Sequence, residues 1–199
     1  MIKRLFDIII SFIGLLILLP FLLILGLFIV IDSPGGIFYR QIRIGKNENP
    51  FRIFKFRSMQ AGSDKKGLLT VGNTDMRITK VGTFIRKYKL DEFAQLINVL
   101  NGDMSLVGPR PEVPKYVEMY TTEQKEVLKV KPGITDYASI EYSDENEILA
   151  RAKNPESTYI EEIMPAKLIL NRKYIENMGL KTDINIIWMT LKKVLGSRS

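Results

Sequence analysis

A run of 24 residues, positions 8–31, carries no charged side chain and is broken only by Ser11, Gly14, Pro20 and Gly26. No other stretch restricts the possible folds so strongly. As one straight helix it would rise about 36 Å, enough for a hydrocarbon core of roughly 30 Å. It has no polar face, which argues against a helix at the edge of a water-soluble core. It is too long for the apolar part of a signal peptide, and no small-residue cleavage site closes it. Two features compete with a plain span. Lys3 and Arg4 precede the run and Arg40, Arg43 and Lys46 follow it, so the positive-inside signal is nearly tied. Pro20, near the middle, removes a helix hydrogen bond and crowds the Leu16 carbonyl. Bent there, the run becomes two arms of about 18 Å that dip into one leaflet and return both ends to one side. On the residues alone, span and re-entrant hairpin stand even.

The rest of the 199-residue chain is long enough for one domain with its own core. Lys and Arg outnumber Asp and Glu by 29 to 22, a formal net charge of +7. That excess favours phosphorylated small molecules, acidic headgroups or nucleic acid as partners. There is no cysteine and no histidine, which excludes disulfides, thiolate metal sites, Ser-His-Asp triads and Cys-His dyads. Catalysis would have to use carboxylates, Lys, Tyr, hydroxyls or a hard, oxygen-bound metal such as Mg²⁺.

Past the turn at residues 32–36, residues 37–44 and 51–56 are aromatic and β-branched and predict a β-hairpin. Lys55 and Arg57 lie in FKFR at the end of its second strand, either half-solvated or as a basic wall for phosphate. Residues 60–67 form a polar loop, and 74–83 lead into a short basic helix ending near Lys89. Residues 113–129 read as helix, 131–135 as a turn, 137–142 as a short strand and 143–157 as a polar connection. A helix over 159–177 is interrupted at Pro165. In the final helix, 183–195, Asp183 is an acidic cap, and Ile184, Ile187, Trp188, Leu191, Val194 and Leu195 share one face. Core packing fits that face better than membrane contact, though a basic amphipathic helix with one Trp can also lie on a bilayer.

Chemistry concentrates in residues 86–111. Asp91 and Glu92 follow a cluster of cations, Arg86, Lys87 and Lys89. Phe93, Leu96, Ile97 and Leu100 recur as one helix face, with Gln95, Asn98 and Asn101 opposite, and Asn101-Gly102 stops the helix. The carboxylates fall in its first turn, where acidic residues commonly do no more than offset the helix dipole. Among cations, however, an ionised Asp is also a nucleophile suited to phosphorus. Gly108-Pro109-Arg110-Pro111 follows, an arginine whose planar fork matches phosphate oxygens. The basic residues are dispersed and no nucleic-acid motif is present, so nucleic acid is not the expected partner.

These residues resemble the bacterial monotopic phosphoglycosyl transferases, the bacterial sugar transferase group, nearly end to end. KRLFDIIIS, FKFRSM, the block TDMRITKVGTFIRKYKLDEFAQLINVLNGDMSLVGPRP and KPGIT follow the family's signatures in order. The resemblance implies a helix-dominated α+β enzyme at the cytoplasmic face of the inner membrane. It would have a re-entrant membrane hairpin (residues 1–32, breaking at Pro20) and a cytoplasmic catalytic domain (33–199) with a short β-hairpin and interfacial amphipathic helices. It implies a ping-pong reaction in which Asp91 attacks the β-phosphorus of a UDP-sugar, UMP leaves, and undecaprenyl phosphate collects the sugar phosphate. Glu92 matches the second member of the family's dyad, a general base or Mg²⁺ neighbour, so the metal ligands would be Asp91 and Glu92. Arg86 and Arg110 match phosphate-binding positions, and Lys55 falls in a matching motif. The resemblance admits a homodimer. Two places depart from it: Leu19-Pro20 stands where Ser-Pro is frequent, and Asp136-Tyr137-Ala138-Ser139 follows PGIT where many members read Gly, an aromatic or Leu, then Ala-Gln. The alternative is a non-enzymatic membrane-anchored module that binds acidic lipid or a protein partner.

Overall fold

The apolar run forms the body of one long helix, α1 (Ile2–Asp32), that stays helical through Pro20. The computed structural model describes residues 2–63 and 75–196. Only 17% of the most apolar 18-residue window of α1 is buried against the rest of the protein. Leu16, Ile17, Leu23, Ile24, Leu27 and Ile31 are among the many exposed side chains of α1. So extensive an apolar surface is far beyond what a water-soluble monomer presents. The helix is long and apolar enough to cross a membrane.

Both ends of α1 are nevertheless held by the same folded body. Near the start, Lys3 donates to the Val107 carbonyl (3.1 Å) and pairs with Asp183. Arg4 donates to the Val99 and Leu100 carbonyls at 2.6 and 3.1 Å. Buried Asp7 accepts from the Ser105 hydroxyl (2.8 Å) and the Leu106 amide (3.2 Å). Near the end, Asp32 accepts from the Val81 amide at 2.9 Å. Arg57 donates to the Ile29 carbonyl in the last turn of α1 at 3.4 Å and to the Ser33 and Pro34 carbonyls of the following turn at 2.8 and 2.6 Å. Carbonyls at a helix C-terminus have no partner within the helix, so this arginine supplies one. Arg57 is thus a structural cap rather than part of a phosphate wall.

The expected hairpin forms: β1 (Phe38–Ile44) pairs antiparallel with β2 (Pro50–Phe56), with Tyr39 opposite Lys55. Its aromatic face carries Phe38, Phe54 and Phe56, and Phe56 packs with Leu22, Leu25 and Ile29 of α1. The basic helix α2 (Lys80–Lys87) is capped by the Thr79 hydroxyl. Asp91 and Glu92 do not open an α-helix; they lie in a 3₁₀ turn (Leu90–Ala94) that precedes α3 (Gln95–Asn101). Gly102, at φ +92°, ends α3 where the sequence predicts. Gln95 and Asn98, expected on the outer face, are buried. Asn98 accepts from Phe54 N (2.8 Å) and donates to Arg52 O (2.9 Å), taking the place of a strand along the open edge of β2.

Downstream the architecture departs from the sequence reading. Residues 113–129 are not one helix but α4 (Pro114–Val117) followed by a 3₁₀ segment (Gln124–Lys129). The expected turn contains a strand: β4 (Gly133–Thr135) pairs parallel with β3 (Ser105–Val107). The expected strand at 137–142 is helix α5 (Tyr137–Glu141), because Asp136 accepts from Ser139 N and caps it. The polar connection holds α6 (Glu145–Arg151) and α7 (Pro155–Thr158). The interruption near Pro165 takes the form of a π-helical turn (Tyr159–Ile163) leading into α8 (Met164–Glu176). In α9 (Leu180–Gly196), Asp183 and Ile186 face the core, while Ile184, Trp188 and Leu191 are exposed. Asp183 bonds Lys3 and the Tyr174 hydroxyl instead of capping α9. Calls at residues 64–67 and at Thr74 lie outside the described residues.

Candidate active site

Five side chains named from the sequence converge on one cleft: Lys55 from β2, Arg86 from α2, Asp91 and Glu92 from the 3₁₀ turn, and Arg110 from the loop after β3. Lys55 reaches Asp91 because it shares a strand face with Ile53, which is buried beside Val99 of α3. The alternation that buries Ile53 also turns Lys55 toward the carboxylates. Its Nζ lies 3.0 Å from Asp91 Oδ2 and 3.8 Å from Glu92 Oε1. Just before the turn, Lys89 takes the left-handed conformation (φ +52°, ψ +31°). For a residue with a Cβ this costs of order 1–3 kcal/mol, a strain often kept at functional sites.

Arg110 is placed by backbone as well as by charge. Its Nη2 donates to Glu92 Oε1 at 2.5 Å, and its amide donates to Asp136 Oδ2 at 3.1 Å. Asp136 is fully buried, and its other oxygen accepts from Ser139 N at 2.6 Å. The loop itself is anchored where Gly108 and Gly133 meet, through Gly108 N to Thr135 O (3.1 Å) and Gly133 N to Pro109 O (3.0 Å).

The charges here are strongly coupled. Burial alone would raise the Glu92 carboxyl, but Arg110 and Lys55 outweigh it and hold the pKa at about 2. Glu92 is therefore an anion throughout the physiological range and has no proton to donate. Burial lowers Lys89, and Glu92 partly offsets this. Burial likewise lowers Arg86, against the pull of Asp91 and Asp75. Among the described residues, no carboxylate lies within ion-pair distance of Arg86. Among the described residues no hydrogen bond reaches Asp91 Oδ1 or Glu92 Oε2. Each carboxylate thus keeps an oxygen available.

The cleft encloses about 610 Å³. Ile10, Gly14 and Leu18 of α1, with Phe93, Leu96 and Leu191, give part of its lining an apolar character. Arg43, Tyr142, Glu145, Asn146, Lys167 and Asn171 bring polar groups to the lining, alongside the apolar cluster of Val113, Leu149, Met164 and Leu168. Asp91 belongs to the same lining. Also on the lining, Lys167 pairs with Glu145 at 2.7 Å, and Glu112 holds both Arg43 and the Tyr159 hydroxyl. Among the described residues no group of three or more acidic side chains is arranged as a metal site. Pro20 is exposed on α1 and does not line the cleft.

The sequence reading named Asp136 only within a stretch that departs from the family pattern, not as the residue that seats Arg110, and it missed the role of Asn98. Asp136 carried a usable signal, an N-cap residue three before Ser139, but the aromatic neighbours Tyr137 and Tyr142 favour a strand reading. For Asn98 there was no signal, because its partners are 44 and 46 residues away.

Residues 1–197 match the family model described as bacterial sugar transferase. Several curated proteins are similar across nearly the whole chain. The UDP-N-acetylgalactosamine-undecaprenyl-phosphate N-acetylgalactosaminephosphotransferase of Aeromonas hydrophila is 36% identical over 197 residues, 98% of this chain and 44% of that protein. The UDP-glucose:undecaprenyl-phosphate glucose-1-phosphate transferase of Escherichia coli (strain K12) is 35% identical over 197 residues, 97% of this chain and 40% of that protein. The galactosyl transferase CpsE of Streptococcus agalactiae serotype III is 40% identical over 207 residues, 97% of this chain and 42% of that protein. The chain spans less than half the length of each of these relatives.

Proposed function

The chain belongs to the bacterial sugar transferase family, and from that premise we propose that it moves a sugar 1-phosphate from a UDP-sugar to undecaprenyl phosphate. The observation that carries this reading is one cleft whose lining joins the carboxylate pair and three cations, Lys55, Arg86 and Arg110, to apolar side chains of α1 and polar side chains of α6 and α8. A phosphorylated lipid and a nucleotide sugar need opposite surroundings for their tails and a common place for their phosphates.

In the first half-reaction an Asp91 oxygen bonds to the donor's β-phosphorus as the bond from that phosphorus to the bridging oxygen breaks. UMP leaves with the electron pair, and a sugar phosphate remains on Asp91. In the second, an oxygen of undecaprenyl phosphate attacks the same phosphorus and Asp91 leaves as carboxylate. Lys55, Arg86 and Arg110 offset the charge of the transferring group, and Arg110 offers it a planar fork. Glu92 is tied to Arg110 and strongly acidic, which suits orienting that fork better than abstracting a proton. A phosphate monoester loses its second proton near pH 6, so the acceptor needs little help from a base. Asp91 and Glu92 suit Mg²⁺ as hard oxygen donors, each with an unpartnered oxygen, in a site completed by the donor's diphosphate. The metal would supply further neutralisation of that diphosphate.

The same proposal divides the chain into a re-entrant membrane segment, 1–32, and a catalytic body, 33–199, on the cytoplasmic face of the inner membrane. Contacts from Lys3, Arg4 and Asp7 at one end of α1, and from Asp32 at the other, support a segment whose two ends stay on one side. Exposed Leu180, Ile184, Trp188 and Leu191, with Lys192 over the Trp188 ring, support α9 as an interfacial helix.

The covalent step is tested by incubating the protein with Mg²⁺ and a panel of UDP-sugars without lipid. UMP should appear in a burst matching the enzyme, with a sugar-phosphate mass on Asp91. If neither is detected with any donor, the mechanism is wrong. The chain has no native cysteine, so a cysteine introduced at position 2 reports topology. An impermeant thiol reagent should label it from the cytoplasmic side only; periplasmic labelling would indicate a full span.

A further inference from the structure

The two faces of the β1–β2 hairpin meet different surroundings. One carries Ile53 and Lys55 and turns toward α3 and the carboxylates. The other carries Phe38, Arg40 and Ile42 of β1 and, directly opposite them, Phe56, Phe54 and Arg52 of β2. On this second face Phe54 and Phe56 pack with Leu22, Leu25 and Ile29 of α1, so it looks to the side on which the apolar helix lies. Ile37, just before β1, abuts Gly26 of the same helix. The helix covers the Phe56 end of the face and leaves the rest open. Phe38 and Ile42 are 40% and 48% exposed, and Arg40 and Arg52 are exposed as well. The Arg40 guanidinium lies 4.3 Å over the Phe54 ring. Among the described residues neither arginine has a carboxylate within ion-pair distance. The face is therefore apolar and cationic, without an acidic side chain, and it continues the exposed apolar surface of α1.

We propose that this face of the hairpin rests on the bilayer and binds acidic phospholipid headgroups through Arg40 and Arg52, with Phe38 and Ile42 inserted beside them. The inference rests on the reading of α1 as the membrane segment. Aromatic and aliphatic groups favour the boundary between headgroups and acyl chains, and arginines lying over them reach lipid phosphates. An acidic leaflet supplies the anions that the fold does not offer these two arginines. A second copy of the chain fits less well, because a two-fold contact through this face would bring four arginines together with no carboxylate among them. The seat also bears on the chemistry. Lys55 lies on the opposite face of the same hairpin and reaches Asp91 at 3.0 Å, so lipid contact on one face fixes the height of the other above the headgroups.

The test uses the full chain in vesicles of mixed phosphatidylcholine and phosphatidylglycerol. The chain has no native cysteine, so Ile42→Cys carries a single fluorophore on the exposed part of the face. Three quenchers are compared: phosphatidylcholine and phosphatidylglycerol, each with a nitroxide near the headgroup, and acrylamide in the water. Both spin-labelled lipids should quench the fluorophore and acrylamide should reach it poorly. The phosphatidylglycerol probe should be favoured by about fivefold or more, the share of at least one arginine at an acidic surface. Arg40→Gln with Arg52→Gln should bring the two lipid probes to equal quenching, with circular dichroism unchanged. Quenching by acrylamide and not by lipid would leave the face in water and overturn the proposal. Protection from all three quenchers would mean that a second copy or another protein covers the face, and would overturn it too. Equal quenching by the two lipids with both arginines present would remove the assignment to acidic headgroups. A fluorophore on Phe12→Cys, exposed on α1, is the reference: if lipid does not quench it, the reading of α1 is what fails.

Discussion

Asp91→Asn is expected to lower UMP release from any active donor by on the order of 10⁴-fold or more, the scale typical of removing a nucleophile. Asparagine keeps the shape of the side chain but removes its charge and its nucleophilic oxygen. The surroundings should tolerate the change. Asp91 is buried, but asparagine fills the same space, and Lys55, its partner at 3.0 Å, retains Glu92 at 3.8 Å. The variant should therefore show wild-type circular dichroism and a thermal midpoint within a few degrees, while forming no sugar-phosphate adduct. Turnover within about tenfold of wild type would place the nucleophile on another residue. An Asp91→Asn protein that does not fold would be answered by Asp91→Glu. Glutamate keeps the charge but moves the oxygen along by one bond, and should lose most activity while remaining folded.

Gly133→Ala should have the second-largest effect, and it acts on stability before activity. A Cβ at Gly133 would lie 2.0 Å from Gly108 N and 2.6 Å from the Val107 carbonyl carbon, both rigid backbone. No rotamer relieves that contact. The strands β3 and β4 would have to part, breaking the Gly133 N to Pro109 O hydrogen bond that seats the loop carrying Arg110. The cost should reach or exceed the roughly 1–3 kcal/mol of ordinary overpacking. It should appear as a lower denaturation midpoint and as loss of activity at temperatures where the protein is still folded. Gly179→Ala is the matched control, because a Cβ there meets nothing within 4 Å. Equal stability of the two variants would show that the strands can separate freely, and the account of how Arg110 is seated would fail.

Several elements could be read from the chain because their causes are local. Hydropathy alone marked the apolar run as helical, while leaving open whether it bends at Pro20; α1 stays helical through that residue. Aromatic and β-branched composition at residues 37–44 and 51–56 sufficed for the hairpin, which forms at Phe38–Ile44 and Pro50–Phe56, and Asn101-Gly102 sufficed for the end of α3, where Gly102 takes φ +92°. Absence of cysteine and histidine confined the candidate chemistry to carboxylates and cations. Asp91, Glu92, Arg86, Arg110 and Lys55 were all named from motif and charge, and all of them line the cleft.

Other features depend on partners far away in the chain. Residues 137–142 have strand-like composition but fold as α5, because Asp136 caps them while also taking the Arg110 amide. Asn98 reads as a surface residue until it lies along the edge of β2. In α9 the sequence identified an apolar face but not its direction. In water such a face must turn inward, but hydrocarbon is itself apolar, so the same pattern suits either side. Contacts of Asp183 with Lys3 and Tyr174 turn α9 the other way, leaving Trp188 outside. The sequence by itself determined which residues carry the charge and which segment is long and apolar enough to cross a membrane. Only the tertiary structure brought Lys55, Asp91 and Arg110 into one cleft, because those distances come from packing between segments that local preference cannot register.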